Sequence, residues 1–167
     1  MPVEDQKISL DKYQIIPRVW IFATRGDQLL LIKGAADKKT WPNLYNGIGG
    51  HIEKGEDVLT AAKREFREET GLELQYPELK MIVTIDINTN PGIGMFVFLG
   101  KAGKGSFRQT KEGVPTWINP ADLSNYPLVE DLPKIIPLVL NAGKDDPIIF
   151  AQYSYQIDNQ LSIILNS

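Results

Sequence analysis

The order of strand-like and helix-like segments predicts an α/β chain of the α+β kind, a mixed β-sheet with helices packed on it. Three observations predict it. Short apolar runs bounded by turn residues recur along the chain without the regular strand–helix alternation of a parallel, doubly wound sheet. One stretch, Glu56 to Thr70, has no Gly or Pro and is rich in helix formers. The tail reads as a closing hairpin, not as another strand–helix unit.

Residues 14–24 (QIIPRVWIFAT) and 28–33 (QLLLIK) are apolar runs around Arg25-Gly26-Asp27, a hairpin signal. A loop rich in Lys, Asp and Pro spans 34–43, and a short strand over Leu44–Ile48 leads into Gly49-Gly50. Acidic Glu56 and Asp57 suit the N-terminus of the helix, and Gly71 suits its end. Leu72–Gln75 and Leu79–Asn88 follow, the latter alternating enough to read as a strand, and Asn90-Pro91-Gly92 makes the next turn. Residues 94–100 return as a strand, and Pro115–Asn119 form a short one. The run 131–142 predicts a helix that Pro137 should kink or shorten. Ile148–Gln156 and Gln160–Leu165 pair around Asp158-Asn159.

Glu56–Thr70 carries more than a helix signal. At about 100° per residue, with Val58 at zero, Ala62, Phe66, Leu59 and Ala61 define one arc, the buried face. Lys63, Arg67, Thr60 and Arg64 take the opposite, watered side. Glu65 and Glu69 fall inside the apolar arc and Glu68 on its margin. Carboxylates crowded on a packed face repel one another and lose hydration unless a cation offsets their charge. The chain has one His and no Cys, so the donors are oxygens, which suits Mg²⁺ or Mn²⁺ over zinc. The helix therefore reads as a platform for a divalent metal.

Bulk properties narrow the partners. The chain has 167 residues, 43% hydrophobic and 23% charged, with net charge −3, which predicts one globular domain over 1–167. The acidic balance argues against gripping a nucleic-acid polymer, while leaving a small phosphorylated ligand open. The absence of cysteine fits a reducing cytoplasm, MPVEDQK lacks a signal-peptide pattern, and no apolar run approaches a membrane span. A cytoplasmic protein, monomer or homodimer, is the expectation. There is neither a P-loop nor a serine or cysteine nucleophile motif.

From Gly50 to Leu72 the chain reads GHIEKGEDVLTAAKREFREETGL. Gly50, Glu56, Arg64, Glu65, Glu68, Glu69 and Gly71, with apolar Phe66 and Leu72, match the signature of the Nudix hydrolase family without a gap. At typical residue usages such a match arises by chance on the order of 10⁻⁸ per starting position. The chain resembles that family, and over nearly its whole length its MutT-like branch. The resemblance implies a mixed sheet between helices, with the signature forming a loop-helix-loop. It also implies cleavage of the phosphoanhydride bond of a nucleoside diphosphate linked to a group X. A purine nucleoside triphosphate, oxidised or not, is the substrate it favours, with a monophosphate and pyrophosphate as products. An ADP-sugar or dinucleoside polyphosphate is the alternative, and a nucleotide-binding module without turnover a more distant one.

Carried over to this sequence, the resemblance implies that Glu65, Glu68 and Glu69 bind metal or handle the attacking water. It adds the carbonyl of Gly49 as a further metal ligand. Arg64 is expected to orient a neighbouring glutamate, with Glu56 as ligand or support and Glu53 as a solvated loop charge. Lys111-Glu112-Gly113-x-Pro115 resembles the stretch carrying a further catalytic or metal-binding acid, here Glu112. Lys33 matches a position that can meet substrate phosphates. Tyr45-Asn46-Gly47-Ile48-Gly49-Gly50 resembles the branch's Trp-Asn-Gly-x-Gly-Gly, whose Asn contacts the base. Pro127-Leu128-Val129-Glu130-Asp131 resembles a base-reading segment, which makes Asp131 and Glu130 candidates. Val129 stands where that segment usually has Trp, and Leu132 where a second Asp is often found, so preference for an 8-oxo base does not carry over.

Overall fold

The computed structural model describes residues 2, 5–6, 9–107, 110–156, 158 and 160–166. Nine strands among them form one mixed sheet: β1 (Ile15–Arg25), β2 (Gln28–Gly34), β3 (Tyr45–Asn46), β4 (Ile48–His51), β5 (Leu74–Asp86), β6 (Gly92–Ala102), β7 (Gly113–Ile118), β8 (Ile149–Tyr155) and β9 (Leu161–Asn166). The order is β3-β2-β1-β6-β5-β8-β9, with β4 beside β1 and β7 beside β2. β1 runs parallel to β6 and antiparallel to both β2 and β4; β5 runs parallel to β8. The mixed, non-alternating sheet is the one the segment order predicts. Asn159, assigned to the closing turn between β8 and β9, lies outside the described residues.

β1 is buried on both faces from Val19 to Ala23, and its alternation divides the core. Val19, Ile21 and Ala23 join Leu30, Ile32 and Ile48 under helix α1 (Val58–Thr70). Trp20 and Phe22 join Met81, Val83 and Val97 under helix α2 (Leu132–Asn141). The sheet is thus sandwiched between helices, and a one-residue slip of β1 would exchange the two faces.

Three expectations change outside the first helix. The strand over Leu44–Ile48 is two strands: β3 pairs with β2, while β4 pairs with β1. The crossing falls at buried Gly47, where an added Cβ would run into the Trp20 indole and lie 3.1 Å from Phe22. Leu72–Gln75 and Leu79–Asn88 are one continuous strand, β5. Its register shifts between Gln75 and Glu78 and again between Leu79 and Met81, so a bulge absorbs Tyr76-Pro77 without ending the pairing. Helix α2 runs through Pro137 to Asn141. The carbonyl that Pro137 leaves without a donor belongs to Pro133 in the first turn; both prolines are exposed, so water can serve it.

α1 begins at Val58, not Glu56. The Asp57 carboxylate accepts from Leu59 N at 2.8 Å and Thr60 N at 3.0 Å, which caps the helix and leaves Glu56 outside it. Gly71, at φ 78°, closes the other end with its N–H on the Arg67 carbonyl at 2.8 Å. Ala61, Ala62 and Phe66 are buried as the wheel predicts, but Leu59 is 37% exposed. It sits at the edge of the apolar arc and in the first turn, beside the cap.

Candidate active site

The cap at Asp57 positions the first part of the site. Glu56, outside the helix, folds back along it and meets Arg64. Nε of Arg64 donates to Glu56 Oε1 at 2.6 Å and Nη2 to Glu56 Oε2 at 2.9 Å. Nη2 also donates to the His51 carbonyl at 3.0 Å, and Nη1 to Glu65 Oε1 at 2.8 Å and Glu68 Oε2 at 3.3 Å. The wheel put Arg64 on the watered side, yet its side chain is only 22% exposed. The long stem turns back and brings the fork among the carboxylates. Its hydrogen bonds to Glu56 and Glu65 drive the guanidinium pKa upward, and the same contact with Arg64 lowers that of Glu56.

The three signature glutamates differ sharply in setting. Glu65 is 14% exposed and rests on the backbone at Gly50, where an added Cβ would stand 2.5 Å from Oε1. Glu69 is 7% exposed and accepts the Gly49 N–H at 3.3 Å. Burial pushes its carboxyl up to about 8, and nearby Glu112 and Glu65 push the same way. Glu68 is 61% exposed and does not line the cleft that Glu65 and Glu69 border. Its position on the margin of the arc becomes, in three dimensions, an outward one.

That cleft has a volume of about 630 Å³. Its walls include Asn46, Gly49, Glu112, Glu130 and Asp131 from the sequence-derived candidates; Lys33 is not among them. Lys33 instead lies with its Nζ 5.9 Å from the Tyr45 ring centroid, on the strand pair β2–β3. Asn46 Oδ1 accepts the Gly47 N–H at 2.8 Å, which leaves its amide nitrogen as the group able to face a ligand. Glu112 binds Lys38 at 2.6 Å across the mouth. Asp131 holds the N-cap position of α2 without a side-chain cap bond. Its carboxyl stands instead beside the buried Tyr153 hydroxyl, which completes no well-aligned hydrogen bond. Burial raises the pKa of both groups.

Sequence reasoning missed Arg18, Trp20, Lys38, Trp41, Tyr153 and Tyr155, all of which line the cleft. A signal existed for Arg18, a charge inside an otherwise apolar strand. For the others the sheet order alone brings β1, β8 and the 34–44 loop to one place.

The donors fit a hard divalent cation. Glu65 and Glu69 both bring carboxyl groups to the cleft wall, and burial disfavours the charged form of Glu69 until a cation compensates it. Among the described residues no three His, Asp or Glu side chains already close on a single point. Two inward carboxylates with room beside them match a cation that keeps some of its waters.

Comparison with known proteins shows the family. Residues 14–139 match the NUDIX domain family. YvcI of Bacillus subtilis, an uncharacterized Nudix hydrolase, is 31% identical over 107 residues, covering 61% of this chain and 65% of YvcI. NudC of Stutzerimonas stutzeri, a NAD-capped RNA hydrolase, is 35% identical over 65 residues, covering 39% of this chain and 22% of NudC. The crystal structure of the MutT protein from Bacillus halodurans superposes with a TM-score of 0.76 at 25% identity, over 91% of this chain and 98% of that one. The chain belongs to the Nudix family, and its fold is that of the MutT proteins. It spans less than two thirds of the length of either curated relative. Among the described residues no helix is long and apolar enough to cross a membrane.

Proposed function

We propose that this protein is a Mg²⁺- or Mn²⁺-dependent pyrophosphohydrolase acting on a nucleoside diphosphate linked to X. The best substrate is a purine nucleoside triphosphate, yielding a monophosphate and pyrophosphate. One observation carries the reading: the buried Glu69 carboxyl, pushed up to about 8, faces a cleft beside Glu65, while the same cleft continues over an apolar floor. One end suits a cation and phosphates, the other a base.

When bound, Mg²⁺ or Mn²⁺ supplies Lewis-acid polarisation of phosphate oxygens and a lower pKa for the attacking water. Glu65 and Glu69 would hold it, joined by Glu68 and the Gly49 carbonyl as the family resemblance implies. Arg64 keeps Glu65 oriented through the 2.8 Å contact, and Glu56 keeps Arg64 in place. A carboxylate of this group accepts the proton of the attacking water; Glu65 and Glu112 are the candidates within the cleft. Asn46 donates to the base from β3, with Asp131 and Glu130 on the far wall. Lys33 would reach a phosphate only by leaving Tyr45.

NudC's name favours a second substrate reading, in which X is larger than a single phosphate, as in an ADP-sugar or dinucleoside polyphosphate. A binding module without turnover is disfavoured by the presence of every signature glutamate. We place the protein in the cytoplasm as one domain over 1–167, monomer or homodimer, with no nucleic-acid polymer or membrane as partner. A panel of nucleotides assayed with Mg²⁺ and Mn²⁺, with products identified by mass, tests the proposal. Metal-stimulated release of a monophosphate supports it; no release from any nucleotide overturns it.

A further inference from the structure

We infer that Arg18 is a specificity-determining residue: it reads the acceptor edge of the base and selects a 6-oxopurine over a 6-aminopurine. The inference rests on the nucleotide site proposed above and adds a residue and a base class to it.

Register sets where Arg18 points. It precedes Trp20 by two residues on β1, so it rises from the same face as Trp20, the face under α2. Its neighbours across the ladder are His51 on β4 and Met95 on β6. Glu65 and Glu69 come from α1, which packs on the opposite face over Val19 and Ile21. Arg18 therefore lies on the floor side of the cleft, among Trp20, Met95 and Ile85, and not on the side of the signature glutamates. A flat ring fits that floor better than a phosphate does.

Its chemistry is unspent. The Nε of Arg18 is buried and has no hydrogen-bond partner, and among the described residues the side chain forms no ion pair. The other cationic chain at the cleft, Lys38, is taken up by Glu112 at 2.6 Å. Acids dominate the rest of the lining, with Glu53, Glu65, Glu69, Glu130 and Asp131. Burying a donor without an acceptor is costly, and a ligand oxygen or ring nitrogen relieves that cost.

The opposite wall indicates which acceptor. Three strand spacings separate β1 from β8, roughly 14 Å between backbones, and Asp131 stands at the far side beside Tyr153. Met95 on β6 and Ile85 on β5 line the cleft between these two walls. A guanidinium only donates; a carboxylate accepts. A 6-oxopurine offers O6 and N7 as acceptors on one edge, which Arg takes in two bonds, and N1–H as a donor on the adjacent edge. A 6-aminopurine turns its N6 hydrogens toward the guanidinium instead.

The test measures kcat/KM for dGTP, dITP and dATP with Mg²⁺ in the wild type, Arg18→Ala and Arg18→Gln, and calorimetric binding of GMP, IMP and AMP. Circular dichroism checks folding; if Arg18→Ala fails to fold, Arg18→Gln carries the comparison. The wild type should prefer both 6-oxopurines. Either substitution should cost dGTP and dITP roughly 10- to 100-fold and leave dATP within about 3-fold. Equal losses for all three would make Arg18 a phosphate contact and overturn the inference. So would a wild type without preference between GMP, IMP and AMP, or one that binds none of them. Absence of hydrolysis with base-selective binding intact would sink the proposed reaction and leave Arg18's role standing.

Discussion

Arg64 clasps Glu56 through two parallel hydrogen bonds, at 2.6 and 2.9 Å, across a separation of eight positions that spans the Asp57 cap. By ending the helix one residue after Glu56, the cap frees that carboxylate to fold back and lock the arginine that in turn holds Glu65. The signature is thus a short chain of mechanical dependence, running from the Asp57 cap through the Glu56–Arg64 clasp to Glu65.

Arg64→Lys should lose the two-point grip and lower apparent Mg²⁺ affinity or turnover by roughly 10- to 100-fold, the usual cost of removing a partner that orients a metal ligand. Glu56→Gln should do the same. The double variant should cost little more than either alone, because both break one contact. Mg²⁺ half-saturation across this cycle measures the coupling; additive losses would separate the two residues.

Glu69 predicts a pH signature in stability. Its carboxyl sits at about 8 in the fold against 4.5 as a free side chain, so between those values the folded chain binds the extra proton. The stabilisation is complete below about 4.5 and is lost as pH rises through about 8. In EDTA the melting temperature of the wild type should fall relative to that of Glu69→Gln across this window. The drop should be several degrees, at roughly 2–4 °C per kcal/mol for a chain this size. Mg²⁺ at pH 8 should raise the wild type more than the variant. Parallel melting curves would contradict the burial of this charge.

The two glycines before the helix should fail differently. At Gly50 an added methyl meets the flexible end of Glu65, so Gly50→Ala should displace that carboxylate and cut activity with little change in melting temperature. At Gly49 it meets the Val19 carbonyl, part of the β1 backbone, so Gly49→Ala should destabilise the fold by about 1–3 kcal/mol. Urea unfolding beside an activity assay distinguishes them.

Asn46→Ala should change base ranking more than metal dependence. Its oxygen is already bonded to the Gly47 N–H at 2.8 Å, so what a base loses is one donor from the amide nitrogen. A nucleotide panel at saturating Mg²⁺ reads this directly; an unchanged ranking would remove Asn46 from the base site.

How legible all this is from sequence depends on range. The hairpin at Gly26-Asp27, the helix capped by Gly71 and the outward Lys63 follow from local pattern, and the structure keeps them. Arg64 and Glu68 lie where the wheel puts their Cα atoms, but a wheel carries no side-chain reach: Arg64 turns inward and Glu68 outward. Gly47 as a crossing between strands depends on Trp20 beneath it, a contact between chain segments far apart. The far wall of the cleft is the least legible part. Asp131 meets Tyr153 only because β8 is added beside β5, and no spacing rule joins those residues.

The most direct test follows monophosphate and pyrophosphate release from dGTP as Mg²⁺ is raised, in the wild type, Glu69→Gln and Glu68→Gln, each confirmed folded. The account predicts Mg²⁺-dependent turnover in the wild type and a loss of orders of magnitude in both variants. Exposed Glu68 should leave melting unchanged, whereas buried Glu69 should shift its pH dependence. A wild type indifferent to Mg²⁺, or a Glu69→Gln variant turning over at the wild-type rate, would contradict it.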